Sequence, residues 1–147
     1  MNIKDAMISK VVTCAPDSRL DAVAMMMWNN DCGSIPVLDE MGTPVGMVTD
    51  RDIAMGAALQ HKALWDISAG EITGGREVRT CRADADVATA LEMMQSHHVR
   101  RLPVVNGKGG LVGIVSIDDI VALACKGGPD LSFDDAMATL KAVCKHH

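Results

Sequence analysis

The chain has 147 residues, the size of one ordinary folded domain, and 48% of them are hydrophobic against 22% charged. This balance excludes a disordered or collagen-like chain. Aromatic residues make up only 2%, too few for a platform that stacks single-stranded nucleic acid, and the net charge of −5 disfavours a duplex-binding face. We therefore expect no nucleic-acid partner.

Composition also bears on location. The first residues carry charges at Lys4, Asp5 and Lys10, unlike a secretory signal peptide. No stretch approaches the ~18 uninterrupted apolar residues of a membrane helix. The five cysteines are odd in number and contain no Cys-x-x-Cys pair, which is typical of reduced thiols. We expect a cytoplasmic protein that does not bind membranes.

The first half predicts a strand, a helix, a hairpin and a second helix. Ser18 and Asp21 have capping-box spacing at the start of the first helix. In chain order the predicted elements are a strand over 11–14, a helix over 18–30, strands over 34–38 and 44–48, and a helix from residue 50.

The second half predicts the same order after a linker over 60–75, in which 63–68 can form a short helix. Its predicted elements are a strand over 78–81, a helix over 84–97, strands over 102–105 and 111–115, and a helix over 117–125. A final amphipathic helix begins at Ser132, with one side formed by Phe133, Met137, Leu140 and Cys144.

The two halves are copies of one unit. Shifted by 67 residues, 13–54 aligns with 80–121 without a gap, and 13 of the 42 positions are identical. The predicted fold is α/β (α+β): two β-α-β-β-α repeats related by pseudo-two-fold symmetry, followed by a C-terminal helix. The predicted boundaries are 1–62 for the first repeat, 63–125 for the second repeat with its linker, and 126–147 for the tail.

Each copy ends its hairpin with a hydroxyl residue followed three positions later by an aspartate: Thr49 and Asp52, then Ser116 and Asp119. A carboxylate can accept hydrogen bonds from both hydroxyls of a ribose diol, and a hydroxyl at a strand-to-helix junction can approach a phosphate or sugar oxygen. The same residues also suit an N-cap and a first helical turn, and both roles can hold together.

These features resemble the cystathionine β-synthase (CBS) domain. The resemblance rests on the unit order, on Ile35-Pro36-Val37 and Leu102-Pro103-Val104, and on the endings at 46–52 and 113–119. Two such units in tandem resemble a CBS pair, or Bateman module, over residues 1–125. The resemblance implies a regulatory module, not an enzyme, that binds an adenosine ligand (AMP, ADP or ATP, with S-adenosylmethionine or NAD also possible) and signals to a partner protein.

The resemblance also implies basic residues that contact phosphate just before the second Leu-Pro-Val strand, at Arg100 and Arg101. The first copy has Gly33 and Ser34 there, without a cation. Arg51 lies beside the first motif, where it faces a phosphate or pairs with its acidic neighbours. Alternatively, Arg100 and Arg101 are solvent-exposed cations beside a strand and contact no phosphate.

An adenine base needs an apolar slot with free backbone groups, which a proline at a strand edge can leave open. Ordinary core packing explains the same residues equally well. The candidates are Thr13, Cys14, Ile35 and Pro36 in the first repeat and Thr80, Cys81, Leu102 and Pro103 in the second.

Other functions stay open. The second helices of the repeats are small and apolar on more than one side, and family resemblance implies a homodimer through them. A dimerisation module with decayed sites, or a metal or redox sensor using Cys14, Cys81 and the histidines, are the alternatives. No cysteine or histidine spacing predicts a metal site, and no catalytic motif predicts an enzyme.

Overall fold

The computed structural model describes residues 1–126 and 132–144, and the chain forms two compact units. The first unit is Val11–Val78, and the second combines Met1–Lys10 with the chain from Arg79 onward. Among the residues described, none of the helices has the length and apolar character of a membrane span. The mixed α/β class predicted from sequence is confirmed.

The helices and strands follow the predicted order in both repeats. A 3₁₀ turn spans Leu64–Asp66 within the linker. In chain order the elements are α1 Ile3–Ala6, α2 Leu20–Asn30, β1 Ser34–Leu38, β2 Pro44–Thr49, α3 Asp50–Gln60, α4 Ala69–Thr73, β3 Cys81–Arg82, α5 Val87–His97, β4 Arg101–Val105, β5 Leu111–Ser116, α6 Ile117–Cys125 and α7 Phe133–Val143.

The first unit is built around the β1–β2 hairpin, whose strands pair antiparallel with Ser34 opposite Thr49. The strand predicted at 11–14 is reduced to one parallel bridge between Cys14 and Val37, because Cys14 is the residue whose backbone bonds to β1. The core beneath the hairpin contains the fully buried side chains Leu20, Val23, Ile35, Val37, Val48 and Ile67.

The second unit has a three-stranded sheet. β3 runs parallel to β4, with Cys81 opposite Val104, and β4 runs antiparallel to β5, with Arg101 opposite Ser116. Its core contains the fully buried side chains Ile3, Val87, Ala90, Met94, Leu102, Val104, Val115, Ile117 and Ile120.

The first ten residues belong to the second unit, an arrangement that sequence reasoning did not foresee. Ile3 lies in its core, and the backbone N–H of Ile3 donates to the carbonyl of Ala85 at 2.9 Å. Farther along, Ile8 and Ile114 exchange backbone hydrogen bonds of 2.8 and 2.9 Å. The segment thereby adds a bridge to the free edge of β5.

Two helix predictions are wrong in detail. Helix α2 begins at Leu20, and Ser18 accepts a hydrogen bond from the N–H of Ala15 at 2.9 Å, so the expected capping box with Asp21 does not form. Asp21 Oδ1 is instead buried without a partner among the described residues.

Helix α7 buries only part of the apolar side named above, since Leu140 is half-buried against the core of the second unit. It packs against α5 and α6 through Ala136, Thr139 and Val143, while Phe133 is 50% exposed and Met137 is 41% exposed. Small side chains allow the helix to approach its two neighbours closely. A hydrophobicity pattern does not show which side of the helix has small enough side chains for this contact. His146 and His147 lie outside the described residues.

Candidate functional site

The two hydroxyl–aspartate motifs lie where each hairpin's second strand meets a helix. Thr49 is the N-cap of α3, and its Oγ1 accepts from the N–H of Asp52 at 3.1 Å. In return, Asp52 Oδ2 accepts from the N–H of Thr49 at 3.0 Å. The first motif therefore forms a complete capping box at the start of α3.

The second motif is arranged differently. Ser116 is the N-cap of α6, and its Oγ accepts from the N–H of Asp119 at 3.1 Å. The Ser116 hydroxyl donates to Asp119 Oδ2 at 2.7 Å. Among the described residues nothing donates to Asp119 Oδ1, so this half-buried carboxylate retains an oxygen with acceptor capacity.

Arg76 is the residue that sequence reasoning missed in the first unit. Its Nη1 and Nη2 donate to the two carboxylate oxygens of Asp52 at 3.1 and 3.2 Å. The two residues are 24 positions apart in the chain, and Arg76 follows the predicted linker over 60–75, outside both aligned segments. No local spacing pattern could have connected the two.

The Asp52 carboxyl has a pKa below its ordinary value. Burial by itself would raise this pKa, because it disfavours the charged form. Hydrogen bonds from Arg76 and Thr49, together with the positive charge of Arg76, outweigh burial and lower the pKa. The charged form of Asp52 is therefore stabilised by its hydrogen bonds to Thr49 and Arg76.

The arginines predicted to contact phosphate lie beside the second motif. Arg101, at the start of β4, lies opposite Ser116 on β5. Its exposed side chain is therefore attached next to the second motif. The Arg100 carbonyl accepts from the N–H of Ile117 at 2.9 Å, and its guanidinium lies 3.6 Å from Asp118. The β4–β5 pairing thus brings Arg100, Arg101, Ser116 and Asp119 to one end of the hairpin.

The equivalent positions in the first unit carry no cation. Ser34 lies opposite Thr49, and the Gly33 carbonyl accepts from the N–H of Asp50 at 3.0 Å. Arg51 is exposed on the first turn of α3. Apart from Arg51, the positive charge near this motif comes from Arg76, which is committed to Asp52.

The predicted adenine slots lie in the strands next to the motifs, but their apolar side chains face the cores. Ile35 and Leu102 are 0% exposed, and Pro36 and Pro103 are buried. A base at these positions would have to use backbone groups and the strand edge. Thr13 and Thr80 are half-buried and stand just before Cys14 and Cys81, which pair with β1 and β4 respectively.

The metal alternative requires a cluster of ligating side chains, and the redox alternative requires a reactive thiol. No group of three or more His, Cys, Asp or Glu side chains among the described residues could hold a metal ion. Burial raises the pKa of the Cys14 and Cys81 thiols to about 11, which keeps both protonated near neutral pH. A protonated thiol is a poor nucleophile.

Comparison with known proteins agrees with the architecture. A family model described as CBS domain matches residues 3–57 and 69–125. The CBS domain-containing protein YhcV of Bacillus subtilis is 32% identical over 123 residues, which cover 81% of this chain and 82% of that protein. Other relatives are longer: the chain spans 23% of the homoserine O-acetyltransferase of Methanococcoides burtonii, at 33% identity.

Solved structures share the fold. Hypoxic Response Protein I, crystallised with two coordinated zinc ions, superposes with a TM-score of 0.76 and 29% identity over 88% of this chain and 100% of that one. A CBS domain protein from Pyrobaculum aerophilum in complex with AMP has a TM-score of 0.74 and 25% identity, covering 86% and 97%. With both repeats matched by the same family model, the chain belongs to the CBS domain family and carries two tandem CBS domains.

Proposed function

We propose that this chain is a regulatory module that binds an adenine nucleotide (AMP, ADP or ATP) through its second repeat and signals to a partner protein. The observation that carries the proposal is the half-buried Asp119 carboxylate, which among the described residues is bonded only to Ser116 and lies at the same hairpin end as Arg100 and Arg101. A carboxylate suits a ribose diol, and guanidinium forks suit phosphate oxygens.

The relatives support this reading. A structure of similar fold was crystallised with AMP, and a longer relative carries a similar segment joined to an enzyme. Each motif combines an N-cap hydroxyl with an aspartate three positions later, an arrangement that suits the binding of a diol better than acid–base turnover. We therefore propose a binding role rather than catalysis.

A ligand panel tests the proposal. AMP, ADP, ATP, NAD and S-adenosylmethionine are compared by thermal shift; a ligand at about 100 times its dissociation constant should add ~2.7 kcal/mol to the free energy of unfolding. Asp119→Asn should abolish the shift, because the diol loses its charged acceptor. Asp134→Asn, the same change at an exposed position on α7, is the control. A panel without any shift, or an unaffected Asp119→Asn variant, would reject the proposal.

The proposal includes a homodimer. Family resemblance implies a dimer through the second helix of each repeat, α3 and α6. Helix α6 packs against α7, whereas α3 exposes Met55 and Leu59, and the neighbouring α2 exposes Met25 and Trp28. We therefore centre the proposed dimer on α2 and α3. The same surface would serve a dimerisation module, the second candidate function.

A reducing, cytoplasmic location is also part of the proposal. Its support is that all five cysteines are free thiols.

A further inference from the structure

In the first repeat, the candidate ribose-binding carboxylate of Asp52 is already bound by another side chain of the same chain, Arg76. The Arg76 guanidinium donates to Asp52 Oδ1 at 3.1 Å and to Oδ2 at 3.2 Å. The N–H of Thr49 adds a third hydrogen bond, to Oδ2 at 3.0 Å. Both oxygens that a diol would need are therefore in use.

Arg76 is held in this position by more than the ion pair. Its Nη2 also donates to the carbonyl of Ile72 at 3.1 Å, and its backbone N–H donates to the carbonyl of Thr73 at 3.2 Å. Thr73 is buried at the end of α4, which packs against β2. Helix α4 thus presents Arg76 to the first turn of α3.

The second repeat lacks this contact. Among the described residues no cation pairs with Asp119, whose side chain is bonded to Ser116. A guanidinium presents two parallel N–H donors to a carboxylate, the pattern that two vicinal hydroxyls would present. Arg76 therefore takes the place of a diol at Asp52, and it does so with a charge-assisted pair that neutral hydroxyls do not match.

We infer that Arg76 closes the first repeat to adenosine ligands, so that each chain binds one ligand, at the second repeat. The inference rests on the proposed function, because it explains why only one of the two candidate nucleotide sites would be used. The Asp52 side chain is 19% exposed and that of Arg76 is 52% exposed, so solvent weakens the pair without removing it. Releasing Asp52 should strengthen diol binding there about tenfold.

Titration calorimetry with adenosine and with AMP tests this inference on the full chain. Adenosine is included because it has the diol without a phosphate, so that the lost arginine charge does not obscure the result. The wild-type chain should bind one ligand, and Arg76→Gln should bind two. Arg76→Lys keeps the charge without the fork and should open the first repeat partially. Lys62→Gln, which removes an exposed positive charge elsewhere in the first unit, should still bind one.

Double variants locate the added ligand. Arg76→Gln with Asp119→Asn should bind one adenosine, whereas Arg76→Gln with Asp52→Asn should lose the added one. 2′-Deoxyadenosine, which lacks one hydroxyl of the diol, should not gain the added site.

The outcomes separate this inference from the proposed function. Two equal sites in the wild-type chain, or a single site in Arg76→Gln, would overturn the inference and leave the proposed function standing. Binding to Arg76→Gln that depends on Asp52, with none at the second repeat, would support the inference and overturn the proposed site. No binding by any variant would overturn both.

Discussion

Asp52 and Asp119 stand at equivalent positions of the repeat, yet their carboxylates have different neighbours. Asp52 is bonded to Thr49 and Arg76, and Asp119 to Ser116. Hydrogen bonds to the charged form, not residue identity, decide whether a carboxylate can still accept a ligand. At the scale of single residues, one arginine outside the aligned segments makes the two carboxylates unequally available.

The cysteines show a second effect of environment. Since burial raises the pKa of Cys14 and Cys81 to about 11, their thiolate fraction near pH 8 should be about two orders of magnitude below that of an ordinary cysteine. We expect iodoacetamide to alkylate exposed Cys125 and Cys144 first, with the buried thiols reacting only upon unfolding or at higher pH. Peptide mass spectrometry measures the rates. If Cys14 or Cys81 were alkylated as fast as Cys125, this expectation would be wrong and the result would favour a redox sensor.

At the scale of elements, equivalent glycines mark where another segment crosses each hairpin. A Cβ at Gly46 would lie 2.8 Å from the Thr73 side chain of α4. A Cβ at Gly113 would lie 2.8 Å from the backbone carbonyl oxygen of Ile8. Two unrelated segments therefore cover the same position of the repeat, and glycine is needed in both because the crossing is close.

Gly113→Ala should lower the free energy of unfolding by about 1–3 kcal/mol, because the backbone of Ile8 must move to admit the methyl group. Gly107→Ala is the matched control, since its Cβ would approach only the Arg82 guanidinium, at 3.5 Å. Urea unfolding measures both. Equal stabilities for the two variants would show that the Ile8 segment does not lie tightly on β5.

For the whole molecule, exposed apolar side chains on α2 and α3 support the proposed dimer interface. Trp28 is 82% exposed and Leu59 is 73% exposed, on α2 and α3. In the second unit the corresponding helices α5 and α6 pack against α7. A pair of helices that exposes large apolar side chains is typical of an interaction surface.

Leu59→Glu should therefore convert a dimer of twice 15.6 kDa into a monomer, because a carboxylate cannot be buried there without a partner. Met41→Glu, at an 85% exposed position in the turn between β1 and β2, should leave the dimer intact. Light scattering after size-exclusion chromatography measures the mass. A wild-type monomer, or a Leu59→Glu dimer, would contradict the proposed interface.

Much of the fold follows from short-range patterns in the sequence. The repeat, the two hairpins and helix α6 at Ile117–Cys125 were predicted from alternation, turn residues and helical spacing, which act over a few residues. The hydroxyl–aspartate motifs were predicted for the same reason, since each spans four residues and the capping contacts are local.

The tertiary structure decided what depends on distant parts of the chain. It placed Met1–Lys10 in the second unit, chose the buried side of α7 and brought Arg76 to Asp52 across 24 residues. Each of these contacts forms only once separate segments pack, and periodicity carries no information about which segments will meet. The sequence therefore determined that two similar motifs exist, and packing determined that their carboxylates are not equally available.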